Sequence, residues 1–151
     1  MPGRVLAIDF GTRRIGLAVS DALGMTAQGL ATIERTRRED DLRRIQLLAE
    51  EYAVEKVIIG RPLSQAGGET AMSHRVEKFA DDLRRRIESP VELWDERLTS
   101  AEATRMLRQA GLSIAKRQRA TDRVAATLLL QSYLDSRALA RLPDHTPEAQ
   151  Q

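Results

Sequence analysis

The sequence predicts an α/β fold in which one mixed five-stranded sheet is flanked by helices. Three predicted strands come first, with only short turns between them, which is typical of an antiparallel meander. Helical and strand periodicities then alternate, which indicates crossover connections between parallel strands. The length of 151 residues suits a single domain. We predict this domain over residues 1–140 and a disordered tail over residues 141–151, where the periodicity stops.

The meander is read from three short segments. Residues 5–8 are uniformly apolar and end at Asp9, as expected for a strand buried on both faces. Residues 11–14 form a tight connection to a second strand over residues 15–20. Residues 26–34 form a third strand, which Gly29 interrupts.

The rest of the chain alternates between helices and strands. Apolar residues at helical spacing predict a helix over residues 39–52 and another around residues 76–87. Short apolar runs predict strands over residues 57–59 and 91–94, both parallel to the first strand. A capping-box pattern at residues 99–102 begins a third helix that Gly111 ends. Residues 113–121 are interpreted as an irregular basic loop, and residues 122–139 as a buried last helix.

Composition excludes several classes of function. The chain is 42% hydrophobic and 30% charged, which argues against global disorder. Having no cysteine, it has no disulfide, thiolate metal site or cysteine nucleophile. Aromatic residues make up only 3%, too few for a surface that binds single strands by base stacking. No signal peptide is visible and no apolar stretch approaches the roughly 20 residues of a membrane span, so we expect a cytoplasmic protein without a membrane partner.

The basic residues are almost entirely arginine. Lysine and arginine together number 24 against 22 acidic residues, and only three of the 24 are lysine. Arginine binds phosphate through paired hydrogen bonds, so this composition is compatible with a phosphate-rich partner.

Carboxylates stand where the predicted parallel strands end. Asp9 ends the first strand, Asp95 and Glu96 follow the fifth, and Asp122 begins the last helix. Each has an ordinary alternative explanation: a turn cap for Asp9, loop acids for Asp95 and Glu96, and a favourable helix-dipole position for Asp122. The functional interpretation depends on their meeting at one edge of the sheet, where ligands of such folds bind.

Carboxylates that meet in this way need a cation. At about 5 Å and an effective dielectric constant near 20, each pair repels by about 3 kcal/mol. An all-oxygen site without cysteine or an obvious histidine ligand favours one or two Mg²⁺ or Mn²⁺ ions. Such a site suits phosphodiester hydrolysis, for which the nearby Arg14, Arg61 and Arg97 are candidates to hold the phosphates.

Four blocks of the sequence resemble one known family. They lie at residues 5–21, 57–68, 94–100 and 122–134, and include the segments VLAIDFG, RIGLAVSD, VIIGRPL, WDERLTS and DRVAA. Over about residues 4–137 the chain is similar to the YqgF family, also called RuvX, which comprises bacterial nucleases with a ribonuclease-H-like fold.

The resemblance implies roles for particular residues. The acid of the first strand bridges the metals in such nucleases, and acids after a later strand and on the final helix complete the site. These roles fall to Asp9, Glu96 and Asp122. Asp95 stays open as the alternative to Glu96, because neighbouring residues of a strand point to opposite faces.

The resemblance also implies a substrate and leaves alternatives. Members of the family are linked to 5′-end maturation of the 16S rRNA precursor and are also described as Holliday-junction resolvases. The expected partner is therefore structured RNA or branched DNA, and a homodimer would favour the resolvase because a junction presents two strands. A non-catalytic RNA-binding module and an actin-like ATP-binding domain remain as further alternatives. Beside the predicted metal site, we interpret the basic segment as a phosphate-contacting loop with three cations, Lys116, Arg117 and Arg119.

Overall fold

The computed structural model describes residues 3–62, 67–95 and 114–140, with side chains of the last range described for residues 123–138. Eight helices and strands lie in these ranges. They follow one another as β1 (Val5–Phe10), β2 (Arg14–Ser20), β3 (Ala27–Glu34), α1 (Arg38–Glu51), β4 (Lys56–Arg61), α2 (Ala71–Arg84), β5 (Val91–Asp95) and α3 (Ile114–Ala140).

The five strands form one mixed sheet in the order β3-β2-β1-β4-β5. β1 pairs with β2, and β2 with β3, in antiparallel fashion, whereas β4 runs parallel to both β1 and β5. The predicted meander and the predicted parallel strands are therefore confirmed. Because β1 lies at the centre, its carboxyl end is surrounded by strand ends and by the turns that follow them.

Alternation along β1 divides the core into two clusters. Leu6, Ile8 and Phe10 face a cluster formed with α1 and α2. Val5 and Ala7 face the other cluster, which α3 covers. Below, these sides of the sheet are called the α1/α2 face and the α3 face. Burial on both sides explains why β1 is apolar at nearly every position.

The last helix is longer than the sequence reading predicted. We expected an irregular basic loop over residues 113–121, but α3 begins at Ile114. Residues 112–142 contain neither glycine nor proline, and lysine, arginine, glutamine and alanine are strong helix formers. Nothing local therefore stops the helix upstream of Asp122, and the loop prediction was wrong over residues 114–121.

Close approach of α3 to the sheet explains the glycine in β3. A Cβ atom at Gly29 would lie 2.5 Å from Cγ of Arg123 and 3.1 Å from the Thr127 hydroxyl. The sequence pattern had indicated only that the strand was interrupted there. In the structure β3 continues through Gly29, which pairs with Ala18, and the missing side chain makes room for the helix.

Two sequence predictions lie outside the described residues: the helix over residues 99–111 and the tail over residues 141–151. No helix in the described part of the chain is long and apolar enough to cross a membrane.

Candidate active site

Asp9 lies near the carboxyl end of the central strand, β1, with a glycine beside it on each neighbouring strand. In β2, Asp9 is paired with Gly16. In β4, on the other side, Ile8 is paired with Ile59, so the next residue, Gly60, lies beside Asp9. Glycines therefore flank Asp9 on both neighbouring strands. Asp9 is half-buried at this edge.

Strand alternation assigns Asp9 to the α3 face. Ala7, two residues earlier, packs in the cluster with Ala126 and Leu129 of α3. Residues two apart on a strand share a face. Asp122 precedes Ala126 by four residues of the same helix. Its backbone therefore lies about one helical turn closer to the N-terminus of α3.

The fifth strand determines the face of the sheet on which Asp95 lies. Trp94 pairs with Gly60 and packs against the α3 cluster, where its ring meets Tyr133 edge-on at 5.2 Å. Asp95 pairs with Arg61 and is exposed on the α1/α2 face. Asp95 and Asp9 thus lie on opposite faces of the sheet. The sequence alone did not determine the face on which Asp95 lies.

The turn between β1 and β2 is fixed by backbone contacts and one arginine. The Gly11 amide donates to the Arg14 carbonyl at 2.9 Å, and a Cβ atom on Gly11 would approach that oxygen to 2.6 Å. Arg35 donates through Nη1 to the carbonyls of Gly11 and Thr12, each at 3.1 Å. The guanidinium of Arg35 lies 4.3 Å from the centre of the Phe10 ring. Arg35 therefore holds the turn that follows Asp9.

Of the predicted phosphate-binding arginines, Arg14 lies on the same face as Asp9. Its neighbour Ile15 packs into the α1/α2 cluster, so alternation places Arg14 on the α3 face. Arg14 begins β2 directly beyond the turn, opposite Glu34 of β3. Arg14 and Asp9 thus share both an edge and a face of the sheet.

Arg61 is engaged by carboxylates. Its Nη2 lies 3.0 Å from Glu69 and 2.5 Å from Glu77 of α2, and the side chain is only 29% exposed. It shares its row with Asp95 and so lies on the α1/α2 face. Its predicted contact with phosphate stays a prediction.

The remaining predicted residues fall partly or wholly outside the described part of the structure. Glu96 and Arg97 lie in the undescribed residues 96–113. Lys116, Arg117, Arg119 and Asp122 belong to α3, which is described there by its backbone alone. Among the described side chains, no three of histidine, aspartate and glutamate form a group that could hold a metal ion. The predicted metal site therefore stays a prediction.

Sequence reasoning missed Arg35 and the surroundings of Phe10. Arg35 is separated from Gly11 by 24 residues, and only the pairing of β1, β2 and β3 brings them together. Nothing local to Arg35 distinguishes it from the other arginines.

Comparison with known proteins gives a consistent result. A family model described as "RuvX: Holliday junction resolvase" matches residues 3–136. The chain is 45% identical over 139 residues to a Koribacter versatilis protein named "Putative pre-16S rRNA nuclease". This alignment covers 92% of this chain and 91% of that protein. It is also 44% identical over 133 residues to a Clostridium novyi protein of the same name, and this alignment covers 88% of this chain and 98% of that protein.

The fold is similar to that of a solved RuvC structure. Thermus thermophilus RuvC in complex with a Holliday junction substrate superposes with a TM-score of 0.57 at 16% identity, covering 90% of this chain and 96% of that one. At this identity the similarity shows the shared ribonuclease-H-like fold, and it agrees with the observed strand order.

Proposed function

This chain belongs to the RuvX, or YqgF, family of nucleases, and we propose that it hydrolyses phosphodiester bonds during 5′-end processing of the 16S rRNA precursor. The relatives named for that activity match about nine-tenths of the chain. The observation that carries the proposal is the position of Asp9, an acid flanked by glycines at the edge where the parallel strands end. Such processing would take place in the cytoplasm.

The residues present fit a hard divalent cation. The site offers carboxylate oxygens and no thiolate, and oxygen ligands favour Mg²⁺ or Mn²⁺. We propose that Asp9, Glu96 and Asp122 hold one or two such ions. When bound there, the cation would activate water and offset the charge that develops on the reacting phosphate.

The face of each acid supports Glu96 over Asp95. Asp9 lies on the α3 face, and so does Trp94, whereas Asp95 lies on the opposite face. Alternation carried one residue beyond Asp95 would return to the face of Asp9. Glu96 is therefore proposed as the ligand, and Asp95 is expected to be dispensable.

The position of Asp122 supports its inclusion. Asp9 lies two residues along β1 from Ala7, a rise of about 6.6 Å. Asp122 lies four residues along α3 from Ala126, a rise of about 6 Å. Ala7 and Ala126 belong to the same cluster, and both steps lead towards the edge where β1 ends.

The chain's own side chains would position the substrate. Asp9 would orient the attacking water through a carboxylate oxygen, and Arg14 on the same face would hold a phosphate oxygen. At the cleaved bond, Arg35 acts through the turn and not on the reacting phosphate. Its hydrogen bonds to the carbonyls of Gly11 and Thr12 keep the turn, and with it Asp9, in place.

A second candidate function is the resolution of four-way DNA junctions. The description of the matching family model and the RuvC-like fold favour it. A junction resolvase cuts two strands symmetrically and so needs two active sites, which a homodimer would supply.

Cleavage assays separate the two functions. Purified protein would be incubated with Mg²⁺ or Mn²⁺ and either a 16S rRNA precursor fragment or a four-way DNA junction, with Asp9→Asn as the inactive control. We expect metal-dependent cleavage of the RNA. Cleavage of the junction alone by a dimer would assign the second function, and absence of cleavage on both substrates would contradict a nuclease.

A further inference from the structure

A basic pocket opens on the α1/α2 face, at the same edge of the sheet as Asp9. It has a volume of about 320 Å³. Phe10 and Phe79 are buried beneath it with ring centres 4.5 Å apart. The other lining residues are four cations and one acid: Arg35, Arg38, Arg75, Lys78 and Asp41.

The positive charge of this pocket is only partly neutralised. Arg38 forms an ion pair with Asp82, and Asp41 contributes one negative charge. Within the described part of the chain, no carboxylate forms an ion pair with Arg75 or Lys78, both of which are exposed. The cations thus outnumber the carboxylates at the pocket by two.

The acid inside the pocket is turned towards the backbone. Asp41 is buried, and its Oδ1 accepts hydrogen bonds from the amide and the hydroxyl of Thr36, at 3.1 and 3.2 Å. An anion entering the pocket would therefore meet a carboxylate already engaged at the base of α1.

Arg35 offers an unused donor. Its Nη1 binds two carbonyls of the β1–β2 turn, but its Nε is buried without a hydrogen-bond partner among the described residues. Buried donors of this kind are uncommon because each costs about 1–3 kcal/mol. A ligand oxygen in the pocket would satisfy this donor once the Arg35 side chain turns Nε towards the pocket, since the atom is fully buried in the present arrangement.

The pocket is connected to the proposed cleavage site through β1. Asp9 and Phe10 are consecutive residues that face opposite sides of the sheet, and Arg35 contacts both the Phe10 ring and the turn that follows. A strand bound at Asp9 that passes over this turn would reach the pocket with its next phosphates.

We propose that this pocket is a phosphate subsite for the substrate strand, in which Arg75, Lys78 and Arg35 bind a backbone phosphate on the far side of the β1–β2 turn from the cleaved bond. The proposal rests on the proposed nuclease function. It extends that function to a surface of the sheet where no metal-binding acid is expected.

The test uses the full-length chain in the Asp9→Asn background, so that binding is measured without cleavage. The probe is a fluorescent single-stranded oligoribonucleotide, titrated over a range of KCl concentrations. Replacing Arg75 and Lys78 together by glutamine should weaken binding about tenfold and flatten the salt slope by about 0.7, which is the contribution of one phosphate on a single strand.

A matched control removes the same charge elsewhere. Arg43 of α1 and Arg85, the residue after α2, are exposed cations that do not line the pocket. Their double replacement by glutamine should change affinity less than twofold. Equal weakening by both double variants would show a net-charge effect and overturn the subsite. Unchanged binding with Arg75 and Lys78 replaced, or no strand binding by any form, would also overturn it.

A further arm locates the phosphate and excludes a small ligand. Single neutral methylphosphonates along the oligonucleotide should weaken binding at one or two positions, and that effect should disappear once Arg75 and Lys78 are replaced. Competition by adenosine monophosphate, with strand affinity independent of Arg75 and Lys78, would assign the pocket to a free nucleotide and contradict the proposal. Residual cleavage by Asp9→Asn would count against the nuclease site alone.

Discussion

Asp9 is half-buried near the carboxyl end of β1, between glycines of both neighbouring strands. An acid at the edge where the parallel strands end stands where ligands of such folds bind. We therefore expect Asp9→Asn to abolish metal-dependent cleavage. The metal-free variant should be as stable as the parent or more stable, because repulsion between acids is relieved. Cleavage rates and urea unfolding in EDTA would check both halves, and a severe loss of folding would make Asp9 structural.

Asp21 gives a residue-level prediction about pH. Its Oδ1 accepts hydrogen bonds from the amides of Thr26 and Met25 in the turn between β2 and β3, which lowers the pKa of this carboxyl below its usual 3.8. A lowered pKa stabilises the fold above the unfolded value, and this contribution disappears as pH falls through the folded value.

The matched variant for this prediction is Asp21→Asn, which keeps an accepting oxygen but cannot titrate. We expect the parent to be more stable than the variant at neutral pH, with the difference shrinking as pH falls below 3.8. Urea unfolding across that range measures it. A difference that is independent of pH would show that the charge of Asp21 contributes nothing.

At the scale of elements, the docking of α3 determines whether Asp122 reaches the site. Gly29 in β3 allows this docking, since a Cβ atom there would collide with the Arg123 side chain. Gly29→Ala should therefore destabilise the protein by about 1–3 kcal/mol, the usual cost of overpacking. Combining it with Arg123→Ala removes the colliding Cγ and should restore part of the loss. Chemical unfolding of the three variants tests this, and additive losses would contradict the contact.

Strands and helices were predictable to different degrees from the sequence. The buried strands β1 and β4 are apolar at almost every position, and their pattern predicted them directly. The start of α3 was mispredicted, because a cluster of cations such as Lys116 and Arg117 resembles a solvated loop although these residues favour helix. Continuity of helix formers was the better guide.

For the whole molecule, the order of the elements determined the topology. Short turns required the meander, and the helices between later strands required parallel crossovers, so the sheet followed from local patterns. The face of the sheet on which each acid lies did not follow from local patterns. A shift of one residue in the alternation after β5 begins would exchange the faces assigned to Asp95 and Glu96. Only the register with β4, with Gly60 opposite Trp94, settles which side Asp95 occupies.

The basic pocket depends on the whole molecule in the same way. Arg35, Arg75 and Phe10 come from three separate segments of the chain, and only the folded sheet brings them together. The sequence around each of these residues contains charged side chains but no motif that indicates a pocket. Binding surfaces assembled across distant elements are therefore the part of function that local patterns miss.

Calorimetric titration with Mn²⁺ tests the central claim most directly, because it asks which acids share an ion. Asp9→Asn, Glu96→Gln and Asp122→Asn should each weaken Mn²⁺ binding at least about tenfold, since each removes a charged oxygen ligand. Asp95→Asn, which removes the same charge on the opposite face, should bind Mn²⁺ like the parent. Strong binding that survives loss of Asp9, or that requires Asp95 and not Glu96, would contradict the account.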